Sequence, residues 1–257
     1  MSGELPEEHI DIDYEMDRTE YEIGLMEEKK ARYPQLVFKY KSVSGSVEFC
    51  RLLNIIRDNE IYLPNVDELN DPLEGFQCKM LEFADERKKK RNQYRVLALS
   101  EDGFLATLWS HYADGYAGIC LCYRTDKSFS ELVPVKYIDK TISWSIDPNF
   151  AARDDLEMKS RDWSYEKEWR LIRKDADNTD MFLKYDVDEL ACVLIGHKMD
   201  PAICKEIRRN IPSDIKILTV YPNDDRFCLY AKDDTGQEVY DTQGILKLLD
   251  KKDMQQR

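Results

Sequence analysis

Two carboxylates and an arginine lie among large aromatics in the stretch Trp163-Ser-Tyr-Glu-Lys-Glu-Trp-Arg-Leu-Ile172. Aromatic side chains favour burial, and charged ones avoid it unless they are paired. A segment that needs both belongs where a core meets a polar pocket. Glu166 and Glu168 are the carboxylates that could steady a developing positive charge or move a proton. Arg170 is the nearest cation, suited to an anionic ligand or to pairing with either glutamate.

As a strand, the segment puts Glu166, Glu168 and Arg170 on one face and Tyr165, Lys167, Trp169 and Leu171 on the other. As a helix, it makes a stripe of Tyr165, Trp169 and Ile172, and Glu166 pairs with Arg170 one turn on. A plain structural ion pair beside a core tryptophan accounts for the same residues.

A second polar-aromatic motif is Trp109-Ser-His-Tyr112. Ring stacking falls to Trp109 and Tyr112, hydrogen bonding to Ser110. His111 reads as a base, a ligand-holding donor or a satisfied buried histidine. Asn70-Asp71-Pro72 is a turn former through its own backbone, or a loop over a pocket. Lys39 and Tyr40 close an early apolar run. Lys159 reads as an exposed lysine or as a phosphate contact. His9 and His197 are remote from His111, so no metal is expected.

The elements that must place these residues follow from pattern. Strands are expected at 36–40, 61–63, 96–100, 119–123, 133–137, 182–185, 191–195 and 215–220. The 119–123 run is apolar throughout and so central, whereas Pro134 marks an edge. Helical spacing covers 47–56, with Val47, Leu52, Ile55 and Ile56 inward, and 79–94, where Arg87–Arg91 is a solvated basic face. Residues 139–158 read as a loop and an acidic helix. Asp200-Pro201 starts a helix to Asn210, and a polar helix closes the chain from Gly244. Segments 227–232 and 238–240 read as a hairpin around Asp-Asp-Thr-Gly.

Strands and helices therefore mix without regular alternation, which predicts an α+β fold: a compact mixed or antiparallel sheet with flanking helices. Residues 1–32 are expected as a charged, helical extension (around 13–32), residues 33–230 as one domain, and 231–257 as the rest of the hairpin and a helix. The terminal helices would carry any oligomer contact.

The 257 residues hold 51 acids against 38 bases, a formal charge of -13. Such a chain repels phosphate backbones, which argues against non-specific nucleic-acid binding. Nuclease chemistry is disfavoured by the same charge and by acids without metal-cluster spacing. Seven cysteines without CxxC spacing or a leader sequence read as buried free thiols in a reducing, cytoplasmic chain. No apolar run is long enough for a membrane span.

An ordered set of motifs resembles the bacterial family DUF2971, a domain of unknown function. The set is Phe38-Lys-Tyr-Lys-Ser42, Leu69-Asn-Asp-Pro-Leu-Glu74, Leu97-Ala-Leu-Ser100, Trp109–Ile119, Val135-Lys-Tyr137, Lys159 with Trp163–Leu171, and Val193-Leu-Ile-Gly196. The resemblance spans about residues 36–200 and carries no activity of its own. More weakly, the layout is similar to that of ADP-ribosyltransferases: a first-strand pair, a polar-aromatic middle motif and a late Glu-x-Glu. The usual first-strand histidine or arginine and the Ser-Thr-Ser motif are missing.

That second resemblance implies NAD as a substrate, held by Lys39 or Tyr40 and by Ser110 to Tyr112. Glu168 would stabilise an oxocarbenium-like ribose, and Glu166 would orient or deprotonate an acceptor. Lys39 or Arg170 would meet phosphate. It also implies a transferase or NAD glycohydrolase with an unspecified macromolecular acceptor, in a stress or phage-defence setting. The contrasting expectation is a non-catalytic binding domain that works through its acidic surface and terminal helices.

Overall fold

In the computed structural model the described residues are 27–28, 31–71, 88–139, 153, 155–175, 177 and 179–255. The chain divides into two units, Met1–Tyr33 and Pro34–Arg257. The helix expected at 13–32 lies outside the described residues apart from its last few positions. So do most of the helices expected at 79–94 and within 139–158.

Within the second unit, the apolar run Leu36–Lys41 is strand β1, with alternating side chains on its two sides. Helix α1, Ser46–Asp58, follows a left-handed glycine, Gly45, and stops at Asn59, itself left-handed at φ 54°. Its inner face is Leu52, Leu53, Ile55 and Ile56. Val47 is 55 % exposed, contrary to the expectation. Five residues ahead of Leu52, it falls on the far side of a helix with 3.6 residues per turn.

Strand β2 (Glu60–Tyr62), a 3-10 turn at Val66–Glu68 and strand β3 (Tyr94–Ser100) come next. Helix α2 (Ala106–Tyr112) leads to β4 (Ile119–Arg124), β5 (Val133–Pro134), β6 (Lys136–Ile138) and β7 (Met158–Ser160). A 3-10 segment at Arg161–Glu166 precedes β8 (Glu168–Lys174). Then follow β9 (Phe182–Lys184), β10 (Leu190–Gly196), helix α3 (Pro201–Asn210), β11 (Lys216–Pro222), β12 (Leu229–Lys232), β13 (Glu238–Val239) and helix α4 (Thr242–Gln255).

Nine strands make one sheet in the order β13-β12-β11-β10-β4-β1-β3-β8-β5. Only β10 and β11, joined through α3, run parallel in it. Small sheets pair β2 with β9 and β6 with β7. The chain is therefore α+β with a mixed, mainly antiparallel sheet. Strand β4 is central and wholly apolar in its first five positions, as its sequence requires. Pro134 sits in the edge strand β5. The single strand expected at 133–137 is broken at Val135: its first half joins the large sheet and its second half, β6, pairs with β7.

One face of the sheet packs Phe38, Tyr40, Cys120, Cys122, Leu194 and Val220 against Leu108 and Trp109 of α2 and against Ile245, Leu248 and Leu249 of α4. The alternate residues Val37, Leu121 and Val193 are also fully buried. Asp200 caps α3 by accepting from the amides of Ala202 and Ile203, and Pro201 opens it. Cys120, Cys122 and Cys192 are buried thiols, whereas Cys50 and Cys228 are exposed.

The segment 163–172 is neither all strand nor all helix. It is 3-10 through Glu166, turns at Lys167 with φ 49°, and becomes a strand at Glu168. The turn separates the two glutamates into different elements.

Candidate functional site

Strands β1 and β3 are antiparallel neighbours joined at one residue pair, Phe38 with Ser100, and diverge beyond it. The fork opens a cleft of about 390 Å³, within the usual range for a small-molecule site. Lys39 spans the fork, its Nζ donating to the Ala98 carbonyl at 2.8 Å. An ammonium there satisfies a carbonyl that a neighbouring strand would otherwise have bonded.

The floor of the cleft is ionic. Lys159 Nζ lies 2.6 Å from Glu166 Oε2 and 3.0 Å from Glu168 Oε2. Arg170 Nε donates to Glu168 Oε1 at 2.6 Å, and its Nη2 reaches Glu168 Oε2 at 3.2 Å. The Tyr112 hydroxyl donates to Glu166 Oε1 at 2.8 Å. All four charged side chains are more than nine-tenths buried, and two cations balance two carboxylates. The backbone is fixed as well: Ser100 Oγ donates to the Glu166 carbonyl at 2.7 Å, and the Glu168 amide donates to the Tyr137 hydroxyl at 2.8 Å.

Burial pushes Glu168 up to about 7, against the pull of Lys159. Lys159 is burdened by burial but held above the usual lysine range by Glu168 and Glu166. Burial, helped by neighbouring Lys41, brings Lys39 down to about 7. Burial lowers Arg170 to about 9, opposed by the charge of Asp71, so it stays protonated at neutral pH. Burial and the Glu166 charge raise the Tyr112 phenol. The cleft thus holds a carboxyl and an amine that both change charge near neutrality.

Of the residues singled out in the sequence, Lys39, Tyr40, Asn70, Asp71, Tyr112, Glu166 and Glu168 line this one cleft. Asn70 stands beside the Tyr112 hydroxyl. Tyr40 spends its hydroxyl on the Asp102 carbonyl at 2.8 Å and packs its ring edge-on against Trp109, on the side of β1 opposite Lys39 and Lys41. Four others are placed elsewhere. Trp109 is fully buried with its Nε1 on the Gly103 carbonyl at 3.0 Å, and cannot stack on a ligand. Ser110 and His111 are exposed, His111 packing edge-on against Tyr112 and Tyr165. Arg170 lies beneath Glu168 at 1 % exposure, away from the lining, and meets no ligand phosphate there.

Lys159 was expected at the surface and is 8 % exposed, at the centre of the cluster. Seven and nine residues separate it from its glutamates, and no one regular element spans all three, since Lys159 is on β7 and Glu166 and Glu168 lie in the 3-10 segment and β8. It arrives through β7, which β6 holds parallel. Trp163 covers it, the Lys159 Nζ lying 4.9 Å from the ring centroid. Lys41 and Arg51 also line the cleft and were not singled out. Among the described residues, no group of three or more histidines, cysteines or acids is placed to hold a metal ion.

Residues 108–171 match the model of the family described as protein of unknown function, DUF2971. No curated protein and no solved structure matches the chain. The DUF2971 match runs from Leu108 in α2 to Leu171 in β8 and takes in Tyr112, Lys159, Glu166, Glu168 and Arg170. The ionic floor of the cleft is thus within the DUF2971 segment, whereas the β1 wall and the loop at Asn70 and Asp71 are outside it. No helix among the described residues is long and apolar enough to cross a membrane.

Proposed function

We propose that the cleft binds NAD and breaks its glycosidic bond, passing the ADP-ribosyl group to an acceptor or to water. The observation that carries this is the buried Glu166–Glu168 pair at the floor of a nucleotide-sized cleft, with cationic side chains on the wall formed by β1 and α1. Departure of neutral nicotinamide leaves positive charge on the ribose and needs no general acid. Glu168 stabilises that charge, and Glu166, bonded to Tyr112, accepts the acceptor's proton. Lys159 holds both carboxylates in place. A cytoplasmic setting, drawn from the unpaired cysteines, and a role in stress or phage defence, drawn from resemblance alone, belong to this same proposal.

The test is nicotinamide release from NAD by the purified chain beside a Glu168→Gln variant of verified fold. Release that drops by about a hundred-fold or more in the variant supports the chemistry. Equal release from both chains rejects Glu168 as the stabilising group.

One observation favours a second reading, a binding domain without catalysis. Every carboxylate oxygen of Glu166 and Glu168 already has a protein partner: Tyr112 and Lys159 for Glu166, Arg170 and Lys159 for Glu168. A neutral buried network of this kind also suits a framework. On this reading no nicotinamide is released with any acceptor, and NAD at millimolar concentration leaves the unfolding temperature unchanged.

A further inference from the structure

Three cations share one wall of the cleft. Lys39 and Lys41 are two residues apart on β1, so both project to the same side of the strand. Arg51 enters the same cleft from α1. Lys39 is committed to the Ala98 carbonyl. The side chains of the other two have no hydrogen bond or ion pair among the described residues. Lys41 is largely buried, and the charge it feels most is that of Arg51, which disfavours its own protonation.

Arg51 is exposed, and two like charges side by side at the rim of the cleft are unfavourable unless an anion joins them. The acids that line the cleft act elsewhere, and the charge of buried Asp71 falls on Arg170. Glu68 accepts from the Tyr62 hydroxyl at 2.8 Å and the Asn65 amide at 2.7 Å. Glu166 and Glu168 are neutralised by Lys159 and Arg170.

The loop between the two cations is also built to hold position. Asp114 Oδ2 accepts from the amides of Val43 at 2.7 Å and Ser44 at 3.0 Å, and its Oδ1 from the Ser44 hydroxyl at 3.0 Å. This carboxylate, from the turn after α2, pins the exit of β1 and the approach to α1. A side chain at Gly118 would lie 2.5 Å from the Lys41 carbonyl, so the turn packs directly against that residue. Lys41 and Arg51 are thus presented on a braced loop–helix corner.

We propose that Lys41 and Arg51 form an oxyanion subsite that takes a phosphate group of the ligand bound in this cleft. Guanidinium and ammonium together suit a phosphate, the one as a planar fork and the other as a point charge. The subsite rests on the cleft being a ligand site, as above, but not on the ligand being NAD.

Inorganic pyrophosphate is the probe, titrated calorimetrically into the full chain at low ionic strength, where such contacts are least screened. Lys41→Gln and Arg51→Gln each weaken binding by about ten-fold or more. Cooperative unfolding of each variant confirms that the corner remains folded. Absence of pyrophosphate binding by the wild type, or wild-type affinity in both cation variants, overturns the subsite. Nicotinamide release with an unchanged KM for NAD in Arg51→Gln also removes it while leaving the glycosidic chemistry intact. Pyrophosphate bound through Lys41 and Arg51 without any nicotinamide release upholds it and removes NAD as the substrate.

Discussion

Lys39 keeps its proton with difficulty because the fork between β1 and β3 strips it of water while offering only one carbonyl in return. In an unfolded chain it would titrate near 10.5; in the fold it does so at about 7. Between those values the folded state binds fewer protons than the unfolded one, so this lysine makes stability rise with pH across that window. Replacing it with methionine removes the titration. Urea unfolding of Lys39→Met between pH 7 and 10 should show a flatter rise than the wild type; an identical slope would mean that Lys39 is not buried as its surroundings require. Glu168 works in the opposite sense. Its carboxyl is raised by burial, so its contribution is present below the unfolded value of 4.5 and fades as pH climbs to about 7.

At the level of elements, the site depends on places where regular structure stops. Lys167 adopts φ 49° between the 3-10 segment and β8, and this reversal brings Glu166 and Glu168, from two different elements, to one lysine. The strand reading of 163–172 foresaw both glutamates on one face, and both line the cleft; the helix reading foresaw a Glu166–Arg170 pair that does not form, since Arg170 bonds Glu168. Neither pattern is visible in full because a single left-handed residue leaves no periodic signature. A comparable junction joins β10 to the turn at Asp114–Tyr116. A Cβ at Gly196 would lie 2.0 Å from the Tyr116 carbonyl, and the Gly196 amide bonds the Gly118 carbonyl at 3.0 Å. Gly196→Ala should therefore cost about 1–3 kcal/mol by overpacking, read from the shift in urea midpoint. An unchanged midpoint would show that the turn yields.

For the molecule as a whole, the long-range pairings of a nine-stranded sheet close over a sequence that divides at Tyr33. Thr125 Oγ1 donates to the Pro34 carbonyl, so the second unit begins with a residue tied into its own body. A chain starting at residue 33 should unfold in one cooperative step with the midpoint of the full chain, as followed by circular dichroism in urea. A broadened or lowered transition would make residues 1–32 part of the fold. The overall charge of -13 contrasts with the three cations on the β1–α1 wall. In an acidic molecule, such a wall concentrates the attraction for a small anion at one place without making the surface attractive to polyanions.

Sequence alone determined what local chemistry controls. The apolar run 119–123 had to be central, Pro134 had to be at an edge, Asp200-Pro201 had to start a helix, and Glu166 and Glu168 had to be buried with a cation among aromatics. Each follows from side-chain type at neighbouring positions. Only the tertiary structure decided which cation. Lys159 reaches the glutamates because β6 and β7 pair in parallel, and Lys41 meets Arg51 because Asp114 folds the intervening loop. It likewise placed Trp109 in the core, where its indole N–H donates to the Gly103 carbonyl, although the sequence reads it as a ring-stacking residue. These outcomes depend on contacts between residues far apart in the chain, whose closure is set by the packing of the whole sheet rather than by any local pattern.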